Sequence, residues 1–131
     1  RYWCAEFSTA DLTSANSPLN VTFGTMNHIN AFGAPRHWAV EYSADGQTWV
    51  RVSTYTVPDF VNTASVRIYQ LPGTKFITVN LPDALLGKQK AYVRLVPASS
   101  ATGTSSSYDG GTKITATSYN AVNYFAIRYN K

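Results

Sequence analysis

Residues 37–52, HWAVEYSADGQTWVRV, constrain the fold more than any other stretch of the chain. Trp38, Val40 and Tyr42 alternate with His37, Ala39 and Glu41, the two-residue period of a strand with one buried face. Ser43-Ala44-Asp45-Gly46 then supplies turn chemistry, because Gly46 can take the positive φ that a short hairpin loop requires. Beyond the turn Thr48, Val50 and Val52 alternate with Trp49 and Arg51, so a second strand leaves it. A chain with this hairpin at its centre is a sheet protein. The remaining sequence must supply the strands that cover it.

Trp3, Ala5 and Phe7 alternate at the start, as do Leu19, Val21 and Phe23, then Ala91, Val93 and Leu95, and finally Phe125, Ile127 and Tyr129. Val66 and Ile68 mark a further candidate, and Pro72-Gly73 is a strong turn signal. Residues 82–87 read as a single helical turn, with Asp83 as its cap. No segment sustains a helical period, and turn signals recur about every 8–12 residues, the pattern of an all-β sandwich or barrel. Eight strands are expected, at 2–8, 19–26, 37–43, 48–56, 65–71, 74–81, 89–97 and 123–130. Residues 113–118, KITATS, become an irregular return.

Eight alternating strands suit an antiparallel β-sandwich of jelly-roll type, with the first strand beside the last and the last beside the third. That order puts Glu6, Arg128 and Glu41 on one outer sheet face, with the arginine between two carboxylates. A length of 131 residues suffices for one such domain, 1–131, with a real core.

Composition narrows the function. Charged residues are 14% of the chain and the net charge is +4, but Lys and Arg are dispersed, with Lys88-Gln89-Lys90 the one local cluster. A phosphate-binding face needs converging cations, so no nucleic-acid partner is expected. The polar surface must come largely from Ser, Thr, Asn and Gln, as in many secreted and cell-surface domains. Cys4 is the sole cysteine, which excludes an internal disulfide and a thiolate metal site, and its place in a strand predicts a packed, inert thiol. No apolar run approaches the ~20 residues of a membrane span, so no membrane insertion is expected. The chain opens directly on a strand with no targeting segment, and is expected to be cut from a longer secreted or surface protein. Asn20-Val21-Thr22 matches a glycosylation acceptor, a pattern that is more often chance inside a strand.

An enzyme would have to draw on Glu6, Asp11, Glu41, Asp45, Asp59, Asp83 and Asp109. A glycosidase needs two carboxyl groups facing one bond. Glu6 and Glu41 are the one pair assignable to a single sheet, and their phase points them outward. His28 and His37 lack the spacing of a helical metal pair, and no nucleophile elbow or phosphate loop occurs. The chain reads as non-catalytic.

Trp38-Ala39-Val40-Glu41-Tyr42-Ser43-Ala44-Asp45-Gly46-Gln47-Thr48-Trp49 resembles the aromatic–strand–Ser-x-Asp-Gly–strand hairpin of the galactose-binding-like, discoidin-type jelly rolls. Ala91-Tyr92-Val93-Arg94-Leu95 is similar to a strand in which such domains often place an arginine. The nearest likeness is to accessory domains of bacterial surface and polysaccharide-processing proteins. The resemblance implies an extracellular or cell-surface recognition module, often for glycans, that works beside the other domains of its parent protein. Members often carry a structural calcium ion near an opening strand. That strand is missing before Trp3 here, so no cofactor is expected.

A sugar site wants exposed aromatic planes beside planar hydrogen-bonding groups. Phe32, Phe60, Tyr108 and Tyr119 fall in connections, where they either meet ligand or plug the ends of the sandwich. If every strand crosses once, loops 27–36, 57–64 and 82–88 share one end. Loops 9–18, 44–47, 72–73 and 98–122 share the other. The first end gathers the candidate ligand residues His28, Asn30, Phe32, Arg36, Asp59, Phe60 and Asn62; the second offers chiefly Tyr108 and Asp109. Trp3, Trp38 and Trp49 read as structural. The alternative to a glycan binder is a spacer or protein-docking domain with no small-molecule ligand.

Overall fold

The computed structural model describes residues 2–27, 37–57, 75–98 and 120–131. Among them are seven strands: β1 (Trp3–Phe7), β2 (Leu19–Asn27), β3 (His37–Ser43), β4 (Val50–Thr56), β5 (Lys75–Leu81), β6 (Ala91–Pro97) and β7 (Asn120–Arg128). They form two antiparallel sheets, one ordered β1-β6-β3-β4 and the other β5-β2-β7. The all-β, two-sheet architecture is as expected, with seven described strands in place of eight. The candidate strand at 65–71 and the return at 113–118 lie outside the described residues.

The strand order differs from expectation. β1 pairs with β6 and not with the last strand, and β7 pairs with β2 in the other sheet. Arg128 is therefore in the sheet opposite Glu41. The position between Glu6 and Glu41 belongs to β6, whose alternating Ala91, Val93 and Leu95 are all buried, as a central strand's inner face requires.

The inner faces carry most of the period-2 residues read from the sequence, but Val50, Phe125 and Tyr129 are exposed. Leu19, Val21 and Phe23 of β2 pack with Trp38 and Val40 of β3, Tyr55 of β4, and Val93 and Leu95 of β6. Aromatic rings run through this layer: Trp3 meets Trp38 edge-on at 5.9 Å, Trp38 stacks on Tyr55 at 6.4 Å, and Tyr55 tilts against Phe23 at 5.1 Å. Burial pushes the Tyr55 hydroxyl far up from its usual range, offset in part by a hydrogen bond with Thr25.

The ends of the sandwich also regroup. His37 lies opposite Thr56, Trp38 opposite Pro97, Thr25 opposite Lys75 and Asn27 opposite Asn120, so these termini share one end. At the other end Phe7 lies opposite Ala91, Ser43 opposite Tyr92 and Leu19 opposite Leu81. The connection over 82–90 therefore sits with 8–18 and 44–49, at the end away from Asn27, His37 and Val57 and not at the end expected for it. The chain likewise leaves β6 and enters β7 at the His37 end; the body of the 98–122 connection lies outside the described residues. β4 ends and β5 begins at this same end.

Hydrogen bonds of Thr9, from both its hydroxyl and its backbone, weld the 82–90 connection to the segment after β1. The Thr9 hydroxyl donates to the Leu85 carbonyl, the Thr9 N–H donates to Lys88 O at 2.8 Å, and the Gly87 N–H donates to Thr9 O at 3.0 Å. The helical turn in this connection is a 3-10 turn, Asp83–Leu85, that drives Leu85 into the core. Asp83 does not cap it. Its carboxylate instead accepts from the Ser17 hydroxyl at 2.9 Å.

Candidate functional site

With both inner faces committed to the core, the two outer faces are where the described residues can meet a ligand. On the four-stranded sheet, pairing lines up Cys4, Arg94, Glu41 and Arg51 in one row across β1, β6, β3 and β4. Glu41 is 8% exposed. Its Oε2 accepts from Arg94 Nη2 at 2.7 Å and Nε at 2.9 Å, and its Oε1 from Arg51 Nη2 at 3.0 Å and Nε at 3.2 Å. Burial alone would push this carboxyl up, but the bonds from Arg94 and then Arg51 outweigh it and hold the group below its ordinary value.

The hairpin loop closes over this row. Asp45 Oδ1 accepts from the Gln47 and Thr48 N–H groups, each at 2.7 Å, and from the Ser43 hydroxyl at 2.8 Å. The Thr48 and Gln47 amides, followed by Ser43, hold the Asp45 carboxyl well below the usual carboxylate range. Thr48 is thereby kept out of the ladder, and β4 starts at Val50 rather than at the expected 48. Trp49 folds back onto the sheet with its ring centroid 4.0 Å from the Arg94 guanidinium carbon, and it meets Tyr92 edge-on at 6.3 Å. Trp49 is thus structural, but it covers the sheet's outside instead of joining the core. Farther along, Lys90 pairs with Glu6 at 3.1 Å, the bond that chiefly lowers the Glu6 pKa. Every charge in this cluster already has a partner, so the face is a closed network.

Cys4 sits at the edge of the same face and is exposed, contrary to the packed thiol expected. Its phase, opposite to that of Trp3 and Ala5, carries it outward.

The outer face of the three-stranded sheet is different. Three cross-strand rows lie on it: Phe76, Gly24 and Tyr124; Thr78, Thr22 and Ala126; Asn80, Asn20 and Arg128. β5 and β7 are two strand spacings apart, roughly 10 Å, yet the Phe76 and Tyr124 rings approach to 6.0 Å because Gly24 offers no side chain between them. Phe76 is 64% exposed and Tyr124 38%. The Thr22 and Thr78 hydroxyls share a hydrogen bond at 2.8 Å, and Arg128 Nη2 donates to the Tyr124 hydroxyl oxygen at 2.7 Å. Among the described residues the Asn20 and Asn80 amides make no side-chain hydrogen bond. A plate results, with two aromatic rings at one edge and hydroxyl, amide and guanidinium groups beside them.

The candidate ligand residues named from sequence, His28, Asn30, Phe32, Arg36, Asp59, Phe60 and Asn62, lie outside the described residues, as do Tyr108, Asp109 and Tyr119. Asn27, His37 and Val57, which flank the first two loops, do share one end of the sandwich. The plate's rings stand on strands, not in the connections where aromatics out of alternation are found. Its signal was present in Lys75-Phe76-Ile77, where Phe76 falls out of phase with Ile77 and Val79.

Among the described residues no group of three or more His, Cys, Asp and Glu could hold a metal ion, and no helix is long and apolar enough to cross a membrane. A groove of about 260 Å³, lined by Trp3, Cys4, Ala5, Val122 and Phe125, separates β1 from β7. No family model, curated protein or solved structure matches the chain.

Proposed function

We propose that the protein is a non-catalytic glycan-recognition module and that the outer face of the three-stranded sheet is its binding plate. The observation that carries this reading is the exposed Phe76–Tyr124 pair bordered by the Thr22, Thr78, Asn20 and Asn80 side chains. A sugar offers an apolar ring face and a rim of hydroxyls, and such a plate answers both, with stacking surface and with planar or hydroxyl partners. The low share of charged residues suits a partner read through hydroxyls rather than phosphates. On the same reading the domain serves a secreted or surface protein as an accessory unit.

The test is a glycan array probed with the wild-type protein and with Phe76→Ala. Binding should fall at least about tenfold in the variant. The thermal midpoint should move by only a few degrees, since an exposed ring contributes about 1 kcal/mol or less through its edge contact. A wild-type protein that binds no glycan sinks the reading. Retained binding by Phe76→Ala, with loss in Phe32→Ala plus Phe60→Ala, moves the site to the loop end named from sequence.

The second reading, a spacer or docking domain, is favoured by one observation. The groove between β1 and β7 runs along two strands that each have one pairing partner among the described residues, an arrangement that can accept an added strand.

A further inference from the structure

We infer that the plate selects carboxylate-bearing glycans, with Arg128 as the residue that reads the charge. This rests on the glycan-binding reading of the same face and adds the substrate class to it. Three observations carry it.

First, β2, β5 and β7 contain no Asp or Glu. The five described carboxylates are elsewhere: Glu6 and Glu41 on the opposite outer face, and Asp11, Asp45 and Asp83 in connections. Any charge that the described residues present on this face is therefore positive.

Second, the guanidinium touches the aromatic pair. Arg128 is in the row of Asn20, four residues along β2 from the row of Gly24, a distance of roughly 13 Å at strand rise. The 2.7 Å bond to the Tyr124 hydroxyl brings its Nη2 back beside the aromatic edge. A sugar ring stacked on the Phe76–Tyr124 pair would then have a guanidinium within the reach of one ring substituent.

Third, that guanidinium has no carboxylate partner among the described residues, unlike Arg51 and Arg94, which share Glu41. A guanidinium presents a planar fork that matches a carboxylate and is satisfied by it bidentately. A sugar carboxylate supplies that partner and keeps the ring face for stacking. A single-stranded nucleic acid would use the rings too, but it needs a track of cations along its phosphates, and the outward positions of the three rows hold one.

The experiment compares a polyuronate with the same polymer after methyl esterification, which keeps the sugar rings and removes the charge. Wild-type protein, Arg128→Gln, Tyr124→Phe and Phe76→Ala are each titrated at about 0.15 M salt. The wild type should prefer the free acid by about tenfold. Arg128→Gln should bind acid and ester alike, near the wild-type affinity for the ester. Tyr124→Phe, which keeps the ring and frees the guanidinium, should lose part of the preference, and Phe76→Ala should weaken both polymers together. Equal wild-type affinity for acid and ester overturns the inference and leaves the glycan reading standing. Failure to bind any glycan, with the fold intact by circular dichroism, overturns both. Tighter binding of an oligothymidylate than of the polyuronate at the same salt also overturns it, by making the plate a nucleic-acid platform.

Discussion

The Trp49 indole lies over the Arg94 guanidinium, 4.0 Å from ring centroid to guanidinium carbon, while the same guanidinium holds Glu41 through two hydrogen bonds. One side chain thus joins the hairpin loop to the centre of the four-stranded sheet. A double-mutant cycle with Trp49→Ala and Arg94→Gln should give a coupling energy of about 0.5–2 kcal/mol, the range for a cation held on an indole. Denaturant unfolding of the four proteins measures it. A coupling of zero would mean that the stack adds nothing beyond packing.

Glu41 should behave asymmetrically towards its two partners. Arg51 is 51% exposed and Arg94 24% at the side chain, so the Arg51 bond is the more screened. Arg51→Ala should cost at most about 1 kcal/mol. Arg94→Ala leaves a buried carboxylate with its weaker partner and should cost roughly 2–3 kcal/mol. Similar losses for the two variants would contradict the geometry.

The same carboxylate sets a pH dependence. Its folded-state pKa is lowered from the ordinary 4.5, so its contribution is fully present above that value and disappears as the pH falls through the lower folded value. Stability should therefore drop on acidification below about pH 4.5, and Glu41→Gln should flatten part of that drop while lowering stability at pH 7. Thermal midpoints between pH 3 and 7, on the order of one reading per half unit, decide it.

How much of this was legible in the sequence varies from one level to the next. Strand positions were, because Val21-Thr22-Phe23 and Val93-Arg94-Leu95 carry the two-residue period in adjacent letters. Strand neighbours were not. Nothing in Asn123 to Asn130 distinguishes a strand beside β2 from one beside β3, since the alternation of Phe125 and Ile127 with Tyr124 and Ala126 fits either partner. The single turn after Leu81 was visible in Pro82-Asp83, but its end of the sandwich depended on strand pairing, which local periodicity does not carry. Trp49 was out of phase with Val50 in the sequence, and the structure explains it: the loop residues that Asp45 ties down turn the indole back, and the pairing of β3 with β4 shifts register between Val40 and Glu41. The plate of Phe76 and Tyr124 could be assembled only after β2 was known to lie between β5 and β7.

The hairpin glycine offers a clean comparison. Gly46 has φ +75°, and a Cβ there would lie 3.3 Å from the Tyr92 ring; Gly87 has φ +67°, and its nearest atom would be Leu12 O at 3.9 Å. Both alanine variants should lose about 1 kcal/mol to backbone strain. Gly46→Ala should lose more, since its Cβ also presses on the ring that packs against Trp49. If Gly87→Ala proves the more damaging, ring contact is not what distinguishes the two sites.

Cys4 makes the strand order measurable. It is the sole cysteine and it is exposed on the outer face of β1, directly opposite Arg94 of β6. A thiol-specific reagent should modify the folded protein stoichiometrically, where a thiol packed in the core would be protected until unfolding. Burial raises the thiol's pKa above its ordinary 9.0, and the nearby Arg94 charge pulls it partly back. Removing that charge with Arg94→Gln should leave less thiolate at pH 8 and slow labelling by roughly twofold. Arg128→Gln should leave the rate unchanged, because β7 is in the other sheet. Had β1 paired with the last strand, the two substitutions would exchange effects, so their rates relative to wild type distinguish the two topologies directly.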